Sequence, residues 1–209
     1  MEFSMSDTKE KILDAAEALF AESGVSQTSL RAITNKAKAN LGAIHYYFGN
    51  KESLIDEVID RRFNEYYQNR SKQLKKLLNQ EQKPSLEDVL RVFISTINHY
   101  RRKLPDFMRI RGHIMTGPKD KMREMYQRIA ETEADWLLAN AILNFFPAEK
   151  HKAVLKRMVV YNALYLSLAT NMNTLELEAD HFKVELTEEE LEDLMVSMMA
   201  AGLRTANQE

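Results

Sequence analysis

Residues 28–51, TSLRAITNKAKANLGAIHYYFGNK, read as two short amphipathic helices joined by a sharp polar corner. Leu30, Ile33 and Ala37 fall at i, i+3 and i+7, which puts one apolar face on the first helix. Leu41, Ile44 and Phe48 repeat that spacing on the second. Between them Lys38-Ala39-Asn40 leaves room only for a tight turn, and Asn40 is placed to cap the second helix. Two helices joined in this way form a helix-turn-helix, whose second helix fits the major groove of DNA.

The charge pattern supports the same reading. Residues 23–51 contain no Asp or Glu but carry Arg31, Lys36, Lys38 and Lys51, in a 209-residue chain whose formal net charge is -2. A basic island in a slightly acidic protein suits a localised phosphate contact, because phosphate neutralisation supplies most of the affinity for DNA. A helical subdomain that happens to be basic would satisfy the composition alone. The corner spacing, the cap and the aromatic cluster favour DNA.

From about Thr8 to Asp60 the chain resembles the N-terminal domain of the tetracycline-repressor (TetR) family of transcriptional regulators. The resemblance rests on the opening helix KEKILDAAEALFAESGVSQTSLRAI, the run GAIHYYFGNKESL and the long helix after it. It covers roughly a quarter of the chain, and the remainder corresponds to the family's variable part. One position departs from the family pattern. The corner is Ala37-Lys38-Ala39 where the family has Ala-Gly-Val, and a residue with a Cβ at positive φ costs about 1 kcal/mol or more. Either the turn is accommodated differently or Lys38 is kept for a contact.

The candidate DNA-binding residues are Thr28, Ser29, Arg31, Lys38, Asn40, Leu41, Gly42, Ala43, His45, Tyr46, Tyr47 and Lys51. Thr28 and Ser29 stand at a helix start, where hydroxyls and free backbone N–H groups suit phosphate. Lys51 opens the fourth helix, so its ammonium and the positive helix end both favour an anion. Small Gly42 and Ala43 let the helix backbone approach the groove floor, and His45 has ring nitrogens for a base edge. The resemblance implies that Tyr46 and Tyr47 reach phosphate or base edges, and that Arg31 reads a base, with bidentate guanine contact the commonest form. Core packing competes for the aromatics: Phe48 belongs there, Tyr47 fits either role, and Tyr46 fits it least.

The chain has no cysteine, hence no disulfide or thiolate chemistry, which suits a reducing compartment. The start, MEFSMSDTKEK, has no apolar run of signal-peptide type, and the most apolar stretch, 158–169, is interrupted by Asn162 and Ser167. These features predict a soluble cytoplasmic protein. Glycine and proline are sparse, and Pro84, Pro105, Pro118 and Pro147 cut the chain into helix-length pieces. The pattern predicts helices at about 7–23, 29–36, 40–47, 50–79, 85–103, 105–115, 119–145, 148–172 and 188–205. The expected fold is therefore all-α. A three-helix DNA-binding domain occupies 1–50, the fourth helix from 51 is a connector, and 51–209 forms an effector-binding and dimerisation domain.

The acidic run from Leu175 to Asp193 reads as a solvated loop and helix start, with Thr187 and Glu190 as a capping box. No metal site is expected there, since the histidines at 45, 99, 113, 151 and 181 lack paired ligand spacing. From Val154 to Met172 apolar residues occur on nearly every helix face, and the last helix adds more, so a surplus is left to cover. The resemblance implies that these two helices form a four-helix bundle with a second copy. Met158, Tyr161, Tyr165, Leu191, Leu194, Met195, Met198 and Gly202 are the expected homodimer interface, the alternative being an unusually large monomer core. The middle block supplies apolar walls with polar handles, as a small-molecule cavity needs. Its candidate lining is Phe93, Ile97, Tyr100, Phe107, Arg111, His113, Tyr126 and Trp136, with Tyr165; ordinary core packing explains the same residues.

Taken with the resemblance, the sequence predicts a sequence-specific DNA-binding transcription regulator. The expected form is a homodimeric repressor released by a small apolar or amphipathic effector, binding double-stranded DNA at a near-palindromic operator. The alternative is a regulator without a small-molecule effector, controlled by a partner or acting as an activator. No cofactor and no catalytic residue is expected, since no nucleophile motif or Gly-rich phosphate loop occurs.

Overall fold

The computed structural model describes residues 5–115, 119, 120, 123, 124, 127 and 133–208. Among the described residues every regular element is helical, so the chain is all-α. In order these are α1 (Met5–Ser23), α2 (Leu30–Ala37), α3 (Leu41–Phe48), α4 (Lys51–Leu78), α5 (Leu86–Lys103), α6 (Pro105–Met115), α7 (Glu133–Leu143), α8 (His151–Thr170), α9 (Met172–Phe182) and α10 (Glu188–Arg204). Pro105 stands at the first position of α6, where its missing N–H costs nothing. Among the described residues no helix is long and apolar enough to cross a membrane.

Packing divides the chain into two compact units, Met1–Glu65 with Leu104–Met122 and Tyr66–Lys103 with Arg123–Glu209. The sequence reading drew its line at 50/51. The difference arises because Leu54 and Val58 on the first turns of α4 are fully buried, and α6 packs on α1.

In the first unit α1 packs on α2, α3 and α6, and Ile12, Ala16, Phe20, Ile33, Ile44 and Phe48 form its core. Glu17, almost fully buried on α1, is held by two arginines of α4. Arg61 Nη2 donates to its Oε2 at 2.5 Å and Arg62 Nε to its Oε1 at 2.9 Å. A buried carboxylate so paired is costly to leave with one partner removed. The clamp ties α4 to α1.

In the second unit α5 and α10 run antiparallel, as their ion pairs show. Glu87 meets Arg204 at 2.6 Å, Arg91 meets Asp193 at 2.6 Å, and Arg101 meets Glu188 at 2.6 Å. The capping box opens α10 as expected, with the Glu190 carboxylate accepting from the Thr187 N–H at 2.8 Å. The segment before it differs from expectation. Residues 172–182 form α9, because Met172, Leu175 and Ala179 share a helical face at i, i+3 and i+7. Tyr161 of α8 lies so close over Gly202 of α10 that a Cβ there would fall 1.7 Å from the phenol oxygen.

Two of the residues expected in the C-terminal interface have partners within the chain. Tyr165 belongs to the core: its hydroxyl donates to Asn98 Oδ1 at 2.8 Å, and burial pushes the phenol far above its ordinary pKa. Gly202 serves the contact within one chain just described. The exposed apolar side chains include Val159 and Leu164, which belong to the apolar surplus of 154–172, and Val160, besides Leu194 and Met198. Met158, Tyr161, Leu191 and Met195 are half-buried.

Candidate nucleic-acid interface

Two side-chain caps and one backbone motif fix the helix-turn-helix. Ser29 Oγ accepts from the Ala32 N–H at 3.1 Å to begin α2. Asn40 Oδ1 accepts from the Ala43 N–H at 2.9 Å to begin α3, as the sequence predicts. Such caps are worth about 1 kcal/mol each. Between them Ala39 N–H reaches Thr34 O at 3.0 Å and Lys38 N–H reaches Asn35 O at 3.4 Å, the paired bonds of a Schellman C-terminus.

That motif requires a left-handed residue, and Lys38 supplies it with φ 52 and ψ 40. The corner normally made by glycine is therefore kept, with lysine in the strained conformation. Lys183 at the end of α9 does the same, with φ 56. Lys38 is exposed beside α3, so its ammonium extends from the corner into solvent.

Ile44 and Phe48 bury one side of α3, which leaves Gly42, His45 and Tyr46 on the outward side at i, i+3 and i+4. Tyr46 is 71 % exposed, an unusual position for a large ring in a protein without a partner. Its ring meets the edge of Tyr47, itself half-buried, at 5.0 Å. Leu41 and Ala43 are partly exposed at the α3 N-terminus. His45 Nδ1 lies 2.8 Å from the Gly49 carbonyl, which can only accept, so this nitrogen carries the proton. Nε2 is then the nitrogen left for the groove, an acceptor when the ring is neutral.

The cations surround that face. Arg31, Lys36 and Lys38 are exposed and Lys51 is half-buried at the first residue of α4. Asn50, with Lys51 the Asn-Lys pair that starts the helix, caps α4 by accepting from Ser53 N–H at 2.8 Å. Thr28 is a correction. It is buried, and its hydroxyl donates to Gly24 O at 2.9 Å, with Leu19 O at 3.2 Å, so it holds the α1–α2 loop and offers no hydroxyl to phosphate.

The expected ligand residues do not converge. Phe107 and Arg111 lie in the first unit, where the Phe107 ring meets Phe63 edge-on at 5.0 Å and the Arg111 guanidinium lies 5.8 Å from the same ring. Ile97, Tyr100 and Tyr165 are core residues of the second unit, Tyr100 packing on Tyr66 at 5.3 Å. Tyr126 and the His113 side chain lie outside the described residues. Among the described residues, Phe93 and Trp136 line a cavity of about 290 Å³ in the second unit, together with side chains of α4, α7, α8 and α10. Arg70 of α4 is a lining residue the sequence reading missed, since a lone arginine in a polar stretch of helix carries no signal of burial.

Residues 12–58 match the family model described as bacterial regulatory proteins, tetR family. The chain is 32 % identical over 104 residues to the probable HTH-type transcriptional regulator YttP of Bacillus subtilis, a region covering 48 % of each chain. It is 31 % identical over 103 residues to the HTH-type transcriptional repressor NicS of Pseudomonas putida, covering 49 % of this chain and 46 % of that one. The matched region thus spans about half the length of these curated relatives. The fold is similar to that of a TetR-like transcriptional regulator from Rhodococcus sp. RHA1, with a TM-score of 0.69 at 17 % identity over 94 % of this chain and 96 % of that chain.

Proposed function

We propose that this chain, which its N-terminal domain places in the tetR family of bacterial regulatory proteins, is a homodimeric, ligand-released repressor of transcription. The observation that carries the reading is the outward face of α3. Gly42, His45 and Tyr46 stand on a doubly capped helix among Arg31, Lys36 and Lys38, in a segment free of carboxylates. One α3 per subunit enters successive major grooves of a near-palindromic operator. Arg31 and His45 read bases, while Lys38, Lys51 and the free N–H groups behind Ser29 hold phosphates. The similarity to named regulators and to a repressor supports the role, and the exposed Val159, Leu164, Leu194 and Met198 support a second copy docking on α8 and α10. Ligand bound among the C-terminal helices shifts α4 and with it the spacing of the two reading heads, so DNA and ligand affinities are reciprocally coupled.

The test is binding to inverted repeats drawn from DNA beside its own gene, followed by fluorescence anisotropy across a salt series. Lys51→Ala should lower affinity for all sequences and reduce the salt slope by about one unit. Arg31→Ala should cost about 1–3 kcal/mol and relax preference at one base position. Leu194→Glu should yield folded monomers by sedimentation, with tight operator binding lost. A wild-type chain that stays monomeric at micromolar concentration, or binds all DNA equally, ends the proposal. A second reading, control by a protein partner, is favoured by Leu177 and Phe182, which stand about 70 % exposed (70 % and 69 %) on α9.

A further inference from the structure

The C-terminal end of α3 is closed by an uncommon turn. Gly49 has φ 78 and ψ -61, and the Asn50 N–H donates to Phe48 O at 2.9 Å, the i to i+2 bond of a γ-turn. This form of γ-turn is rare and strained, and glycine tolerates its positive φ because it has no Cβ. A Cβ at Gly49 would meet no atom within 4 Å, so the backbone angle and not lack of space calls for glycine there. The turn brings the Gly49 carbonyl to 2.8 Å from His45 Nδ1. In return the Gly49 N–H donates to His45 O at 3.1 Å. The same two residues are thus bonded in both directions, and the product of the strained turn is a ring nitrogen whose partner is settled.

We propose that this turn makes His45 a reader of amino bases, its Nε2 accepting from the exocyclic amino group of adenine or cytosine in the major groove. This rests on the DNA-binding reading above and names the base class that one side chain of α3 selects. A carbonyl oxygen only accepts, so Nδ1 keeps its proton, and in a neutral ring Nε2 is an acceptor with no hydrogen of its own. Adenine and cytosine present amino donors in the major groove, whereas the keto oxygens of guanine and thymine only accept. Nε2 set against a keto oxygen opposes two lone pairs and leaves both groups unpaired, which is costly once water is excluded. Phosphate is excluded on the same ground, since its oxygens need a donor. The exposed Arg31, Lys36 and Lys38 and the Tyr46 hydroxyl supply donors instead. His45 is itself exposed, and Gly42, three residues before it on that face, adds no side chain to hold the groove floor away. Gly49 acts through His45 and is a positioning residue.

The full-length protein is titrated with its inverted repeat, every base of the half-site varied in turn, at about pH 8, where imidazole in water is neutral. Comparison with His45→Ala locates the position that His45 reads. There adenine or cytosine should bind about three- to tenfold more tightly than guanine or thymine on the same strand, and His45→Ala should be indifferent. Purine in place of adenine, or cytosine without its amino group, should cost the unsubstituted protein the same factor and His45→Ala nothing. Ring-nitrogen NMR resonances should place the His45 proton on Nδ1, in the free protein and on DNA. Gly49→Ala should spread that proton over both nitrogens and shrink the amino preference while preferences at other base positions stay. A mere loss of helix stability would not single out one position. Circular dichroism melts identify a variant that has lost its fold; if Gly49→Ala does so, the base analogues with the unsubstituted protein decide. A preference for guanine or thymine, no cost of deleting the amino group, or a proton on Nε2 in the complex overturns the proposal. So does an amino preference that survives in Gly49→Ala although the proton has moved. Sequence-specific binding with no position that depends on His45 overturns this proposal alone, whereas equal binding to all DNA overturns the DNA-binding reading with it.

Discussion

The helices at the two ends of this chain treat their apolar side chains in opposite ways. In α2 and α3 the large aliphatic residues Ile33 and Ile44 are wholly inside, and apart from Leu41 at the start of α3 what faces outward is mostly hydroxyl, amide, imidazole, phenol and cation. In α8 and α10 the outward side is itself aliphatic: Val159, Leu164 and Met198 are 70, 60 and 65 % exposed. The first arrangement is a finished core whose surface seeks a polar, anionic partner. The second is half a core, because exposed methyl and methylene groups gain about 25 cal/mol for each Å² removed from water. The contrast leads to the expectation that the core around α2 and α3 is complete within one chain, whereas a second copy docked as proposed on α8 and α10 would add to the stability of those helices.

Equivalent truncations at the two ends should separate these roles most sharply. Ile44→Ala is expected to cost about 2–5 kcal/mol of unfolding free energy at any protein concentration, since it opens a cavity in a closed core. Leu164→Ala should leave monomer stability within about 0.5 kcal/mol and alter only the concentration-dependent part of the melt. Denaturation at two protein concentrations measures both, and a concentration-independent loss in Leu164→Ala would erase the contrast. Next in size is Gly202→Ala. The added methyl collides with the Tyr161 phenol, so about 1–3 kcal/mol should be lost, and Tyr161→Leu should restore most of it.

Smaller effects sharpen the comparison at the level of turns and charges. Lys38→Gly relieves the left-handed lysine but loosens the unfolded chain, so stability should stay within about 1 kcal/mol. The same change should lower the salt slope of DNA binding by about one unit if the ammonium meets phosphate. Lys183→Gly, which relieves the same strain in the second unit, should leave that slope unchanged. The smallest effect is acid weakening of the α5–α10 contact. Hydrogen bonds from Arg101 to Glu188 and from Arg204 to Glu87 hold both carboxyls below the ordinary glutamate pKa. Their contribution is therefore complete above the unfolded value of about 4.3 and disappears as pH falls through the lower folded values. These pairs are exposed, so melting temperatures should respond only slightly, and less in 1 M salt.

What could be read from the sequence was local. Caps at Asn40 and Thr187 are decided by a side chain and an N–H three residues away, and both occur where expected, while Ser29, read as a phosphate contact, caps α2 in the same way. Helix starts at prolines are equally local. The cavity was illegible for the converse reason: α8 is apolar nearly all round, so its sequence does not say which face, that of Tyr165 or another, meets Phe93 and which meets solvent. Phe107 and Arg111 were grouped with the middle helices by position in the chain, although Phe63 draws them to the first unit. α9 was hidden by carboxylates at 176, 178 and 180, whose alternation masks the helical spacing of Met172, Leu175 and Ala179. At Lys38 the departure from the family pattern was visible, but not that lysine would itself take the left-handed conformation.

The exposed methionine of α10 has a consequence in redox chemistry. Without cysteine, the oxidisable sulfur of this chain resides in methionine, and Met198 is 65 % exposed while its neighbour Met199 is 4 % exposed. Peroxide acting on a separated protomer reaches Met198 before Met199 and turns an apolar thioether into a polar sulfoxide. A copy docked on α10 shields the same sulfur. If the proposed dimer forms through α10, the rate of Met198 oxidation would count protomers that stand alone, and each sulfoxide would disfavour their docking until a reductase removes the oxygen.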